Sequence, residues 1–263
     1  TVEDEIKLLL KEKIMPLKAD RAMYLLAPIL ALVPSFLIFM IIPLGPDLNI
    51  EVGGKDYIVD FVGADLNVGV LYFLALSSIA VYSVVLAGWS SGSKYPLLGG
   101  VRASAQMISY EAAMGLSLVP VILYSGSLSL VDIVSSQSGN LSTSIPILSS
   151  IVSFIPKWNI FPQFIAFGIF FIAAVAEVNR APFDLVEAEQ ELVGGFHTEY
   201  SGFRFAMFFL AEYINMFNMC AITATFFLGG WLGPTFENFL PPVLSAIMPI
   251  IWLGVKTFSD RKT

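Results

Sequence analysis

Two glutamates stand where carboxylates are costly. Glu111, in AQMISYEAAMG, lies six residues into one apolar run, and Glu212, in FFLAEYINMFN, lies nine residues into another. An ionised carboxylate at hydrocarbon depth costs about 3 kcal/mol or more even on permissive insertion scales. Each therefore needs a polar partner, a water-filled cavity, or work that uses protonation. Asn215 shares a helix face with Glu212, three residues on, with Tyr213 and Asn218 nearby; Tyr110, Ser109 and Gln106 precede Glu111. Two readings stand side by side. The acids are structural groups hydrogen-bonded to neighbouring helices, or they form a proton relay through a bundle interior. Gln replaces a structural carboxyl cheaply and stops a relay.

A second constellation is AEVNRAPFDLVEAEQELVGGFHTEY, residues 176 to 200, with six acids against one arginine. Pro182 predicts a break after a helix that ends near Glu177, with Asn179 and Arg180 at the break. Asp184, Glu187 and Glu191 then share one helix face and Glu189 falls opposite; like charges at such spacing repel. Gly194 and Gly195 end that short helix, and FHTEYSG leads through Glu199 and Tyr200 to Arg204. Leu185, Val186, Leu192, Val193 and Phe196 are interleaved with the charges. That alternation suits packing against a partner or lining a cavity at a membrane edge; a solvated charged loop is the plain alternative. His197 is a candidate for titration near neutrality, although a lone histidine is more often merely interfacial. One histidine among scattered carboxylates does not specify a redox metal site, and no glycine-rich nucleotide loop occurs. Cys220, the single cysteine, excludes an intrachain disulfide and cannot alone ligate an iron–sulfur cluster.

The elements that must position these groups are apolar. Of the 263 residues, 56% are hydrophobic and only 13% charged, against about 25% charged in soluble domains. Apolar runs cover roughly 22–45, 66–88, 105–126, 159–176, 203–230 and 238–256, and about 20 helical residues cross the hydrocarbon. The predicted fold class is therefore an all-α polytopic membrane protein of about six spans, one membrane domain over 1–263. Residues 1–21 read as an interfacial segment and 177–202 as an acidic loop with a short helix. The charged opening TVEDEIKLLLKEK is not a cleavable signal peptide. With the amino terminus inside, Lys7, Lys11, Lys13, Lys18, Arg21, Lys94, Arg102, Arg180, Arg204, Lys256, Arg261 and Lys262 face the cytoplasm-like side. Only Lys55 and Lys157 fall outside, a strong positive-inside bias that puts the acidic loop inside as well. Outside, residues 47–65 carry Gly53 and Gly54, which predict a hairpin between short extended pieces, and 127–158 read as serine-rich connecting surface. A formal charge of −7 argues against a nucleic-acid surface.

The strings AEVNRAPFDLVEAEQELVGGFHTEYSG, KADRAMYLLAP, LLGGVRASAQMISYE and FFLAEYINM resemble the H-type membrane subunit of proton-pumping NADH:quinone oxidoreductase, respiratory complex I. The likeness covers nearly the whole chain, and the 177–202 run is its most specific part. It implies a helical subunit where the peripheral arm meets the membrane arm, in a bacterial, archaeal, mitochondrial or thylakoid energy-transducing membrane. Alone, such a subunit binds no cofactor. Quinone is the substrate, and iron–sulfur clusters and flavin sit in partner subunits. The implied partners are the peripheral-arm subunits with the terminal cluster and quinone site, small membrane-arm and antiporter-like subunits, and lipid. By the same resemblance Glu177, Arg180, Asp184, Glu187, Glu189, Glu191, Glu199, Tyr200 and Arg204 belong to the quinone-chamber loop. Asp20 and Arg21 match an interfacial pair, and Glu111 and Glu212 match intramembrane acids of the coupling route. The family's earlier helix with a GPNRVGP-like motif, and its later RxxxPRxRYD-like stretch, are not among residues 1–263. A hydrogenase or F420-type membrane anchor is the related alternative, and a stand-alone ion-coupled transporter the more distant one.

Overall fold

The computed structural model describes residues 15–17, 19–46, 48–52, 55–59, 61–139, 157–180, 183, 195–232, 251 and 253–257, the strands through their backbone alone. The helices are α1 (Arg21–Ile41), α2 (Gly69–Ser90), α3 (Lys94–Ser125), α4 (Leu130–Ser136), α5 (Phe164–Glu177) and α6 (Phe203–Phe227). Strands β1 (Leu48–Val52) and β2 (Lys55–Val59) pair antiparallel, Val52 opposite Lys55, as the expected hairpin requires, while Gly53 and Gly54 lie outside the described residues. Among the described residues, α1, α2, α3 and α6 are long and apolar enough to cross a membrane, and α5 is a shorter apolar helix. The protein is thus helical and multi-spanning, with at least four crossings. Helix α3, at 32 residues, is about 48 Å long and begins well before the apolar run at 105. Hydropathy marks its lipid-depth part only.

The chain forms two compact units. The first gathers Thr1–Phe39, Tyr72–Leu116 and Phe171–Met216. Its interior includes many small side chains. Ala27, Ala31, Ala87, Ala103, Ala176 and Ala211 are buried together with Ser35, Ser77, Ser83 and Ser90, while Leu116 is 72% exposed and Phe203 47%. Small residues let helix backbones approach closely, which favours packing in lipid, while Tyr24, Ile38, Phe73 and Met114 fill the remaining interior. The approach of α2 to α3 shows the need: a Cβ on Gly88 would lie 2.5 Å from the Pro96 carbonyl oxygen.

The second unit comprises Met40–Leu71, Ser117–Phe170 and Phe217–Thr263. Its organising feature is the carboxyl end of α6, whose last carbonyls have no intrahelical donors. Gln137 Nε2 donates to Thr225 O at 3.0 Å, Asn159 Nδ2 to Phe226 O at 2.8 Å, and the Ile160 amide to Phe227 O at 3.0 Å. Lys256 Nζ donates to the carbonyls of Leu228, Gly230 and Leu232 at 2.6, 2.9 and 2.5 Å, with the Trp158 ring 4.5 Å away.

Lys256 corrects the orientation count. It lies at the end of α6 that the loop pattern puts outside, beside Trp158, rather than with the inside lysines. The reason is chemical: three carbonyls and an indole face hold this ammonium, so it answers to the end of α6 and not to membrane polarity. Lys256→Met leaves three carbonyls short of a donor. We expect it to lower the thermal stability of the assembled membrane protein by about 2–4 kcal/mol; an unchanged unfolding temperature would remove Lys256 from this role.

Candidate functional site

Within the first unit, α2 carries Ser77 and Ser78 in the run LALSSIAV. Successive residues on a helix point about 100° apart, so neighbouring hydroxyls reach different helices. Ser77 Oγ donates to Glu177 Oε1 at the end of α5, and Ser78 Oγ donates to Glu111 Oε1 on α3. Glu177 is 3% exposed, and its second oxygen, Oε2, has no hydrogen-bond partner among the described residues.

Glu212 finds a cation. Arg180 Nη2 lies 3.2 Å from Glu212 Oε1, and the guanidinium stands 5.5 Å from the Tyr213 ring centroid. Local backbone chemistry places that arginine. Asn179 adopts φ 52°, in the left-handed region; the Asn179 amide donates to Ala176 O at 3.3 Å and the Arg180 amide to Val175 O at 3.3 Å. These are the two bonds of a Schellman ending with asparagine where glycine is usual. The helix therefore stops at Asn179, before Pro182 is reached. Gln106 Nε2 secures the same corner, donating to Ala176 O at 3.2 Å, Asn179 Oδ1 at 3.3 Å and Phe183 O at 2.9 Å.

A cavity of about 670 Å³, part of it open to the surroundings, connects these groups. Glu177, Asn179, Glu212, Asn215 and His197 line it with Ser35, Ser83 and a wall of Phe196, Phe208 and Phe209. Asn215 thus stands beside Glu212 as the helical spacing predicts, although the ion partner comes from another segment.

The loop exit forms a second group. Tyr24 Oη donates to Glu199 O at 2.7 Å, the Tyr24 and Tyr200 rings stack at 4.1 Å, and the Arg204 guanidinium lies 5.2 Å from the Tyr24 ring centroid. Burial pushes the Tyr200 phenol up to about 12. Asp20 Oδ1 caps α1, accepting from the amides of Ala22 and Met23 at 3.0 and 3.5 Å, while Arg21 opens the helix at the exposed surface. Gly99 on α3 lets the backbone at 195–196 lie against it, where a Cβ would meet Gly195 Cα at 2.9 Å. Asp184, Glu187, Glu189 and Glu191 fall outside the described residues.

His197 departs from its expected titration near neutrality. Its ring sits among Phe196, Phe205 and Phe209, and burial lowers its pKa to about 4. Nothing in the linear sequence announces that cage, since only Phe196 is adjacent. Ser77, Ser78 and Tyr24 are likewise not singled out by the sequence; a paired serine inside an apolar run is the signal available for the first two. Among the described residues, no group of three or more His, Cys, Asp or Glu side chains could hold a metal ion.

A neutral, buried His197 makes stability depend on pH. The unfolded chain takes up this proton near pH 6.5 and the folded chain only near 4, so the contribution is complete above 6.5 and is lost as pH falls toward 4. His197→Phe keeps an aromatic ring in the cage. Between pH 7 and 5, it should lose about 2 kcal/mol less stability than the parent, measured by thermal inactivation; identical pH slopes would contradict the burial.

A family model described as NADH dehydrogenase matches residues 1–259. The chain is 49% identical over 265 residues to an H-type NADH-quinone oxidoreductase subunit of Geobacter metallireducens, covering 96% of this chain and 71% of the relative. It is 47% identical over 264 residues to the corresponding H-type protein of Koribacter versatilis, covering 97% and 70%. Against the H-type NADH-quinone oxidoreductase subunit of Brevibacillus brevis the identity is 47% over 256 residues, covering 97% and 66%.

Proposed function

The chain belongs to the family of H-type membrane subunits of NADH-quinone oxidoreductase, and from that premise we propose how its carboxylates serve the complex. It is a membrane-arm subunit of complex I in an energy-transducing membrane, contributing to quinone-linked function without catalysing electron transfer itself. Its site comprises Glu111, Glu177 and Glu212 as proton-bearing groups, with Arg180 joining them to the acidic loop of Asp184, Glu187, Glu189 and Glu191. Glu199, Tyr200 and Arg204 shape the loop's exit, and Asp20 and Arg21 border it. The partners are the peripheral-arm subunits carrying the terminal iron–sulfur cluster and the quinone site, together with the antiporter-like and small membrane subunits. Flavin and clusters reside in those partners.

The observation that carries this reading is the convergence of three carboxylates in one unit, with one arginine and a cavity between Glu177 and Glu212. Reduction of quinone brings negative charge beside the loop. Like charge disfavours ionised carboxylates, so the loop acids gain proton affinity. Arg180 stands at the start of that loop and pairs with Glu212, at 44% and 30% side-chain exposure. A half-exposed ion pair is worth only about 0–1 kcal/mol, weak enough for loop charge to compete for the guanidinium. Release of Arg180 then changes the charge balance at Glu212, and Glu177 and Glu111 pass the disturbance onward.

The fold proposed with it has a fifth crossing built on α5 and the turns at 159–163 that lead into it, and a short helix within the acidic loop. The sixth run, 238–256, is not counted as a crossing that returns inside, since Lys256 lies beside the end of α6. Glu212→Gln in the intact complex should leave assembly unchanged and reduce quinone-linked proton pumping by about tenfold or more, read as acidification in reconstituted vesicles. Full pumping by that variant would falsify the role of Glu212.

A further inference from the structure

We propose that Tyr24 is a positioning residue, joined to Tyr200 in a reciprocal latch that holds segment 195–204 against the first turns of α1. The kinetic part of this inference rests on the function proposed above; the structural part does not. Tyr24 and Tyr200 are 0% and 5% exposed and stack with an interplanar angle of 6°. Each phenol serves the backbone beside the other ring. Tyr24 Oη donates to Glu199 O at 2.7 Å, and Tyr200 Oη donates to Tyr24 O at 3.3 Å.

The second bond answers a local defect. In an uninterrupted helix the Tyr24 carbonyl receives the amide four residues on. That residue is Pro28, inside α1, which has no N–H. A carbonyl short of a donor in a buried helix is costly, and the Tyr200 hydroxyl stands in for the absent amide. The flanking residues leave room for the rings: Ala27, Ala31, Ala87 and Ala211 belong to the same buried cluster. Ser90 ties in the end of α2, with Oγ 3.4 Å from Tyr200 Oη and its carbonyl accepting from the Asp20 amide at 3.1 Å. Ser90 Oγ also faces the Ala87 carbonyl at 3.4 Å, so its hydroxyl sits between α2's own backbone and the Tyr200 phenol.

The latch reaches the cavity through one turn. The Tyr200 amide donates to His197 O at 2.9 Å, so fixing Tyr200 fixes the residue whose ring lines the cavity with Glu212. Arg204, stacked over Tyr24, is set by the same contact. Tyr24 touches none of the three carboxylates by any bond described above. It acts through the segment it holds.

The test uses the intact complex carrying Tyr24→Phe, Tyr200→Phe, Pro28→Ala, or Tyr200→Phe with Pro28→Ala. Amide hydrogen exchange of residues 195–202 and the KM and kcat for quinone are measured together. NADH oxidation by a hydrophilic acceptor that bypasses the membrane arm reports assembly. Each Tyr→Phe change keeps the ring and should speed exchange about fivefold, raising KM more than it lowers kcat. Alanine at 28 returns an amide to the Tyr24 carbonyl, so Tyr200→Phe should then change exchange by less than about twofold. Equal effects of Tyr200→Phe in both backgrounds, or unchanged exchange in Tyr24→Phe, would overturn the latch. Faster exchange with unchanged KM upholds the latch and counts instead against a quinone role for the segment.

Discussion

Lipid donates no hydrogen bonds, so every backbone carbonyl freed within a membrane helix must find a donor in the protein. The most informative contacts here occur where the helical ladder fails. The end of α6 is closed by Gln137, Asn159, Ile160 and Lys256. The end of α5 is closed by its own amides and by Gln106. The gap left by Pro28 is answered from Tyr200. Ionisable and polar side chains placed for this duty also fix the surrounding segments. Arg180 faces Glu212 because Asn179 can take a left-handed turn, which ends α5 at that point.

The carboxylates are held with little countercharge. Glu111 and Glu177 receive neutral hydroxyls from Ser78 and Ser77, and only Glu212 has an ion pair among the described contacts. A fully buried pair with ideal geometry would pin one protonation state, since removing either partner of such a pair costs about 3–5 kcal/mol. Hydroxyl donors and a half-exposed arginine bind less firmly. The three carboxylates thus differ in what holds them, a hydroxyl for Glu111 and Glu177 and a guanidinium for Glu212.

The sequence was legible wherever one run decides one element. The apolar runs at 22–45, 66–88 and 203–230 correspond to α1, α2 and α6, and the expected hairpin to the paired strands β1 and β2. Glu111 and Glu212 stood out because charge in an apolar run is anomalous by itself, and family strings supplied the rest of the site. What could not be read depended on partners far along the chain. His197 is neutral because Phe205 and Phe209 stand around it from another helix, and Lys256 binds carbonyls at 228–232, which no local pattern marks. Tyr24 lacks any local mark except a proline four residues later, whose meaning appears only when a donor is found opposite its carbonyl.

The closure of α6 also bears on how the chain is made. Its side-chain donors lie 88, 67 and 28 residues from the carbonyls they reach, two earlier in the chain and one later. When α6 leaves the ribosome, Gln137 and Asn159 already exist and Lys256 does not. The order of the chain thus makes the side-chain donors for Thr225 and Phe226 available before the one for Leu228, Gly230 and Leu232, so the end of α6 is completed by its most C-terminal partner.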